Sequence, residues 1–130
     1  MGRRDVKSKV KLAVLHEKIQ YTATEAIVGV DVSDYHGQTF VVDIGAWTAN
    51  GLTVTFQHCD DNSTWIDVPA ADLDGDNDIA VVTGLADSQI YVGYTGNKKY
   101  IGAKITDAAT GDAVLGVYIV KSYPSQFPVN

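Results

Sequence analysis

Hydrophobic and polar residues alternate along four stretches of this chain. In each stretch every second position is apolar, while the positions between are polar, small or mixed. A period of two is typical of β-strands with one buried face. The predicted buried faces are Val28, Val30 and Val32; Phe40, Val42 and Ile44; Leu52, Val54, Phe56 and His58; and Ile101, Ala103 and Ile105. Shorter strands are predicted at residues 64–68, 79–83 and 90–94, and no segment after residue 20 has a convincing helical period.

The last predicted strand, residues 113–121, is apolar on both faces. Its two faces are Val114, Tyr118 and Val120 on one side, and Leu115, Val117 and Ile119 on the other. A strand of this kind is either central in a sandwich or covered by another subunit.

Turn residues separate the predicted strands. Asn50-Gly51 is typical of a two-residue hairpin, and residues 60–63, 95–98 and 110–112 predict further turns. About eight strands with a turn every ten or so residues indicate a sandwich, jelly roll or barrel. The predicted fold class is an all-β, antiparallel β-sandwich or jelly-roll-like domain.

The charge divides the chain into a basic N-terminal arm, residues 1–20, and an acidic remainder. The arm holds six of the ten Lys and Arg residues and two of the sixteen acids, so its charge is +4 against −10 for the rest. This asymmetry predicts an arm that engages an acidic partner, either the acidic surface of a different protein or another copy of this chain. A solvated terminus that binds nothing is the alternative. Residues 10–19 fit a strand and a helix equally well.

The β domain is predicted at residues 21–121 and an extended C-terminal tail at 122–130. Pro124 and Pro128 interrupt regular structure, while Tyr123 and Phe127 offer apolar anchors. The predicted partner-binding residues are those of the arm and of this tail: Arg3, Arg4, Lys7, Lys9, Lys11, Tyr123 and Phe127.

Size and composition restrict the class of protein. A chain of 130 residues with 45% hydrophobic residues suffices for one domain with a core. No apolar run approaches the roughly 20 residues of a membrane-spanning helix, and no targeting signal is legible. Cys59 is the single cysteine, which excludes an intrachain disulfide.

Two segments superficially resemble metal sites. His58-Cys59-Asp60-Asp61 falls short of the four ligands of structural zinc, because the chain has one Cys and three His. The run 72–78 begins like a calcium loop, but Asn77 stands where the glycine belongs and Thr83 where the glutamate belongs. No metal and no cofactor is predicted, and calcium at the 72–78 loop is left open.

Enzyme signatures are absent from the sequence: there is no Gly-x-Ser-x-Gly, no phosphate-binding glycine loop and no His-Glu-x-x-His. We therefore predict that the chain is not an enzyme, and that His58 is a hydrogen-bonded core histidine. His16 and His36 lie in polar contexts without a visible partner. The acidic body argues against nucleic-acid binding. Trp47 and Trp65 fit either sugar stacking or a core or interface role.

Four segments carry a resemblance to a known group of proteins. They are VVDIGAWT at 41–48, FQHCDDNSTWIDV at 56–68, VGYTGNKKYI at 92–101 and TGDAVLGV at 110–117. In this order they resemble small proteins encoded in the head-gene region of tailed bacteriophages and prophages. The resemblance covers roughly residues 28–128. The chain departs from the usual pattern at Cys59, where serine is more typical, and in its ending at 123–128.

The resemblance implies a virion structural protein, specifically a capsid decoration or cement protein on the outer surface of the head. Its implied partners are the major capsid protein and further copies of itself, with a homotrimer favoured, and it would be assembled in the host cytoplasm. It implies no functional site residues. The alternatives are a head–tail junction or tail subunit, or a carbohydrate-binding β-sandwich module.

Overall fold

The computed structural model describes residues 10–33, 35–75, 77–81, 85–108 and 110–124, and only the backbone of Val10, His36, Tyr123 and Pro124. Ten strands and one short 3₁₀ helix lie in this part of the chain. The strands are β1 (Val10–Tyr21), β2 (Glu25–Asp31), β3 (Tyr35–Ala49), β4 (Leu52–Cys59), β5 (Ile66–Asp67), β6 (Leu73–Asp74), β7 (Asp78–Ala80), β8 (Gln89–Tyr94), β9 (Tyr100–Asp107) and β10 (Asp112–Pro124), and the 3₁₀ helix is Ala70–Asp72.

The strands form two antiparallel sheets. The first sheet has the order β1-β10-β3-β8-β6, and the second has the order β2-β9-β4-β5, with β7 also paired to β4. Among the described strands, the chain passes to the other sheet after every strand except β4, which leads directly into β5. The order of the long strands is that of a jelly roll, which is one form of the predicted antiparallel sandwich. The predicted fold class is confirmed.

The core lies between the sheets and is built from the predicted faces. Phe40, Val42 and Ile44 of β3 face Leu52, Val54 and Phe56 of β4, and all six are at most 1% exposed. The rings of Phe40 and Phe56 stack across the layer, with centroids 4.1 Å apart. The period-two alternation therefore fixes which face of each long strand points inward.

The connection at Asn50-Gly51 is not the predicted hairpin. It joins β3 in the first sheet to β4 in the second, because the apolar faces of these two strands must face each other across the core. Gly51 has a φ of 139°, whereas Asn50 is not among the residues of positive φ, as a type I′ turn would require. Asn50 Oδ1 instead accepts a hydrogen bond from Trp47 Nε1 at 3.0 Å.

The boundary predicted at residue 20 is wrong, because residues 10–20 belong to the first sheet. β1 pairs with β10 from Val10 to Tyr21, and a register shift after Val14 turns both Leu15 and His16 inward. His16 Nε2 lies 2.9 Å from the carbonyl oxygen of Ala103, so this histidine has the partner that its polar sequence context did not suggest.

β10 extends past the predicted end of the β domain at residue 121, since Pro124 still pairs with Tyr35. β10 lies between β1 and β3, in the interior of the first sheet. Leu115, Val117 and Ile119 on its inner face are fully buried, and the outer face is half-buried.

Candidate assembly surfaces

Most of the predicted partner-binding residues lie outside the described part of the chain. These are Arg3, Arg4, Lys7, Lys9 and Phe127. Tyr123 belongs to β10, but only its backbone is described. Lys11 is exposed on β1. The candidate surfaces are therefore built from described residues that flank these positions.

One side of the sandwich is formed by β1 and β2, the outermost strands of the two sheets, and we call it the β1/β2 edge. β1 and β2 contact each other. Four large apolar side chains of these two strands are exposed: Leu12 (63%), Val14 (49%), Ile19 (51%) and Val28 (40%). Leu12 and Val14 pair with Val120 and Tyr118, so they lie on the outer face of the first sheet. Apolar groups clustered at a sheet edge indicate a contact surface.

The outer face of the first sheet also carries a cation of β1, since Lys18 Nζ lies 3.2 Å from Asp43 Oδ2 on β3. Lys11 alternates with Leu12 and therefore lies on the opposite face of β1. Lys18 reaches Asp43 across Gly116 of β10, where an added Cβ would lie 2.9 Å from the Lys18 Cβ. The described residues of this edge, 10–31, hold Lys11 and Lys18 against Glu17, Glu25 and Asp31, a net charge of −1.

The opposite side is formed by β5, β6 and β7, and we call it the β5/β7 edge. Residues 60–97, which include these strands, contain eight acids and no Lys or Arg. Ile66 of β5 is 50% exposed, and Tyr91 of β8, beside β6, is 61% exposed. All six exposed large hydrophobic side chains of the described residues thus lie on or beside one of the two edges.

A hollow of about 350 Å³ opens on the β5/β7 edge. The side chains that line it are Cys59, Asp60, Asp61, Thr64, Ile66 and Lys98. A hydrogen bond from Lys98 Nζ, 3.1 Å from Asp60 Oδ2, holds the pKa of Asp60 below its ordinary value.

Asp61 stays ionised for a similar reason. Hydrogen bonds from the backbone and hydroxyl of Thr64, at 2.8 and 2.9 Å, and from the backbone of Ser63 hold the pKa of Asp61 below its ordinary value. These bonds confirm the predicted turn, in which side chains bond their own backbone. Two charged carboxylates and Lys98 therefore form part of the lining of the hollow.

His58 is the buried core histidine that the sequence predicts. It is 3% exposed, and its Nδ1 lies 2.8 Å from the Tyr94 hydroxyl, which also accepts a hydrogen bond from the backbone of Lys98. Burial lowers the pKa of His58 and raises the pKa of Tyr94. Because His58 lies in β4 and Tyr94 in β8, this pair links the two sheets.

Two polar side chains of the 72–78 loop, Asn77 and Asp78, form hydrogen bonds to other parts of the domain. Asn77 Nδ2 donates to the carbonyl oxygens of Phe56 and Val68, each at 2.9 Å. Asp78 accepts a hydrogen bond from Thr55 Oγ1 at 2.7 Å. No cluster of three or more His, Cys, Asp or Glu side chains suited to a metal occurs among the described residues, which exclude Asp76.

The two tryptophans pack against the sandwich. Trp47 is half-buried against the core. Trp65, which directly precedes β5 and is not itself in a strand, lies over Gly29 of β2, where an added Cβ would be 2.6 Å from its Cζ2. Gly29 pairs with Gly102, so the absence of side chains makes room for the indole on the outer face of the second sheet.

Sequence reasoning missed the apolar residues of both edges. The alternation of Val10, Leu12 and Val14 fits a strand, but Leu12, Leu15 and Ile19 fit a helix, so the sequence did not decide how Leu12 is placed. Ile66 lies in a two-residue strand among polar residues, so no periodicity marks it.

No protein-family model matches the chain, and no curated protein does. A solved structure of Bacillus endospore appendages, described as a novel family of disulfide-linked pili, is similar in shape, with a TM-score of 0.43 and 15% sequence identity. The alignment covers 88% of this chain and 89% of that chain. A likeness of this size carries no conclusion about this chain. None of the helices in the described part of the chain is long and apolar enough to cross a membrane.

Proposed function

We propose that the chain is a virion structural protein, a decoration or cement protein that binds the outer surface of a tailed-phage head and braces neighbouring capsid subunits. Its partners are the major capsid protein and two further copies of itself, in a homotrimer. It acts through contact surfaces and has no catalytic role, no metal and no cofactor.

The observation that carries this proposal is the pair of apolar edges on opposite sides of one sandwich. A shell component repeats the same contacts many times, so two separate contact surfaces on a small rigid body suit it. The resemblance of the four segments to phage head-region proteins supports the same function, and these segments form strands and turns of the sandwich.

Adding the purified protein to expanded, empty heads that lack it tests the proposal. We expect saturable binding, measured by co-sedimentation, and an increase in the temperature at which the heads break open. Deleting residues 1–9, which precede β1, should weaken the binding without changing the melting temperature of the free protein. Absence of binding to such heads would refute the decoration role.

Cryo-microscopy of the complete particle separates this role from that of a head–tail junction or tail subunit. Density for the protein over the whole head surface is expected. Density confined to the tail or to one vertex would instead support a head–tail junction or tail subunit.

A further inference from the structure

We infer that this chain binds a neutral saccharide in a second hollow, which lies at one end of the sandwich and which we call the end hollow. Its volume is about 450 Å³, within the range of sites that hold small molecules. Three connections meet there: the turn between β2 and β3, the residue that follows β4, and the turn between β8 and β9. Apart from Val32 and Gly96, every described residue that lines it has a polar side chain.

Hydrogen bonds within the protein hold the turns around the end hollow. The backbone nitrogen of Val32 donates to the carbonyl oxygen of Lys99 at 2.9 Å, which joins the β2–β3 turn to the β8–β9 turn. The backbone nitrogen of Lys98 donates to the Tyr94 hydroxyl at 3.2 Å, and that hydroxyl is itself held by the buried His58. Because the walls are already ordered, a ligand does not have to pay the entropy of arranging them.

Gln38 places an unused acceptor in the end hollow. Only 8% of this residue is exposed, and its Nε2 donates to the carbonyl oxygens of Val32 and Tyr35, at 3.3 and 2.6 Å. Its Oε1 has no hydrogen-bond partner among the described residues, yet none of their unpartnered side-chain oxygen and nitrogen atoms is closed off from solvent. The Oε1 atom is therefore open to the hollow that Gln38 lines, where a ligand hydroxyl can donate to it.

The rim of the end hollow sets hydrogen-bond donors beside acceptors. Lys98 Nζ lies 3.1 Å from Asp60 Oδ2, and this contact keeps the Asp60 carboxylate ionised, so that it only accepts. The exposed amide of Asn97 has no partner among the described residues and offers both a donor and an acceptor. A hydroxyl group donates and accepts at once, so neighbouring hydroxyls of one sugar ring can bond to both members of the Lys98–Asp60 pair.

Tyr35 supplies the aromatic surface of the end hollow. Its ring is half-buried at the start of β3, and Lys121 Nζ lies 5.2 Å from the ring centroid. A sugar ring carries apolar C–H groups between its hydroxyls, and an aromatic side chain can bury such groups. Trp47 and Trp65, the two aromatic residues that the sequence offers for sugar stacking, do not line this hollow.

The charges of the lining favour a neutral ligand over an anion. Lys98 is paired with Asp60, and Lys99 Nζ lies 3.9 Å from Asp31 Oδ2. A phosphate or carboxylate ligand would be repelled by these two acids, whereas an uncharged hydroxyl bonds to the acid and to the lysine of a pair without displacing either.

An NMR titration of the isotopically labelled full chain tests the site. The probes are glucose, galactose, mannose and N-acetylglucosamine, each added at millimolar concentration. We expect at least one of them to shift the amide signals of the turns at 32–38 and 95–99 saturably. No saturable shift with any of the four sugars would overturn the site. Shifts centred on Trp47 or Trp65 would overturn its location.

Two variants and a matched control sharpen the titration. Asn97→Ala and Asp60→Asn each remove hydrogen-bonding groups from the rim, and both residues are exposed, so the fold should be kept. Each variant should weaken the binding of the effective sugar about tenfold, the cost of one good hydrogen bond. Asp74→Asn is the control, because Asp74 is exposed on β6 and does not line the end hollow; it should bind like the wild type. Unchanged affinity in both rim variants would overturn the assignment.

Sodium phosphate is the comparison ligand. If phosphate shifts the same signals and none of the sugars does, the end hollow is an anion site and the saccharide class is overturned. The inference goes beyond the proposed function and does not rest on it. A chain that binds a sugar here but does not add to phage heads would overturn the decoration role and leave this site intact, and the converse result would do the reverse.

Discussion

The layer between the two sheets and the lateral edges of the sandwich both contain large apolar side chains, but these side chains differ in what covers them. Between the sheets, Phe40 meets Phe56, and the neighbouring aliphatic side chains are fully buried. At the edges, Leu12 and Ile66 are at least half exposed and lie near charged groups. The same kind of side chain is thus fully buried between the sheets and largely uncovered at the edges.

This difference separates stability from association. Substitutions between the sheets should change the free energy of unfolding, and substitutions at the edges should change only the contacts between copies. The following predictions test that separation, beginning with the largest effect.

Phe56→Ala should destabilise the protein most. The ring is fully buried and stacks on Phe40, so truncation leaves a cavity between the sheets. We expect a loss of about 3–5 kcal/mol in the free energy of unfolding, measured by urea denaturation. Phe56→Leu fills more of the same space and should cost less. A loss below about 1 kcal/mol for Phe56→Ala would mean that the layer is not closely packed.

Gly102→Ala should have the next largest effect. An added Cβ would meet the carbonyl oxygen of Val28 and lie 2.8 Å from the Gly29 Cα, both on the backbone of β2. β2 must shift to admit it, at a cost of about 1–3 kcal/mol. Gly93→Ala is the control, because its Cβ would contact only the Asp74 Cβ at 3.4 Å. Equal stability of the two variants would contradict the close approach of β2 to β9.

The sequence predicted the inward faces of the long strands because a period of two is a local property of each strand. It did not predict that Asn50-Gly51 crosses between the sheets, since that connection depends on which faces must meet across the core. The edges were missed for a related reason. Whether Leu12 is covered depends on the neighbours of β1 in the sheet, and the pattern of residues 10–19 does not contain that information.

The buried His58 should make the free energy of unfolding depend on pH. Burial lowers its pKa below the ordinary value of 6.5, so the unfolded chain takes up a proton near pH 6.5 while the folded protein resists it. Stability should therefore fall as the pH drops below about 6.5, by at most about 1.4 kcal/mol per pH unit. His58→Asn, which cannot titrate, should show a smaller fall between pH 7.5 and 5 in thermal melts. The same fall in both proteins would assign it to other groups.

Leu12→Ser should have the smallest effect on folding and therefore tests the comparison most directly. Leu12 pairs with Val120 on the outer face of the first sheet and is 63% exposed, so the free energy of unfolding of the monomer should change by about 0.5 kcal/mol or less. Leu115→Ser on the adjacent strand β10 is the matched substitution, because Leu115 is fully buried on the inner face. It should cost several times more, since it leaves a cavity and buries a hydroxyl. If the two variants lose similar stability at concentrations where the protein is monomeric, Leu12 is part of the core of a single copy. Leu12 would then already be packed within one copy and would not be available for a contact between copies. The division between a buried interior and exposed edges would not hold at this residue.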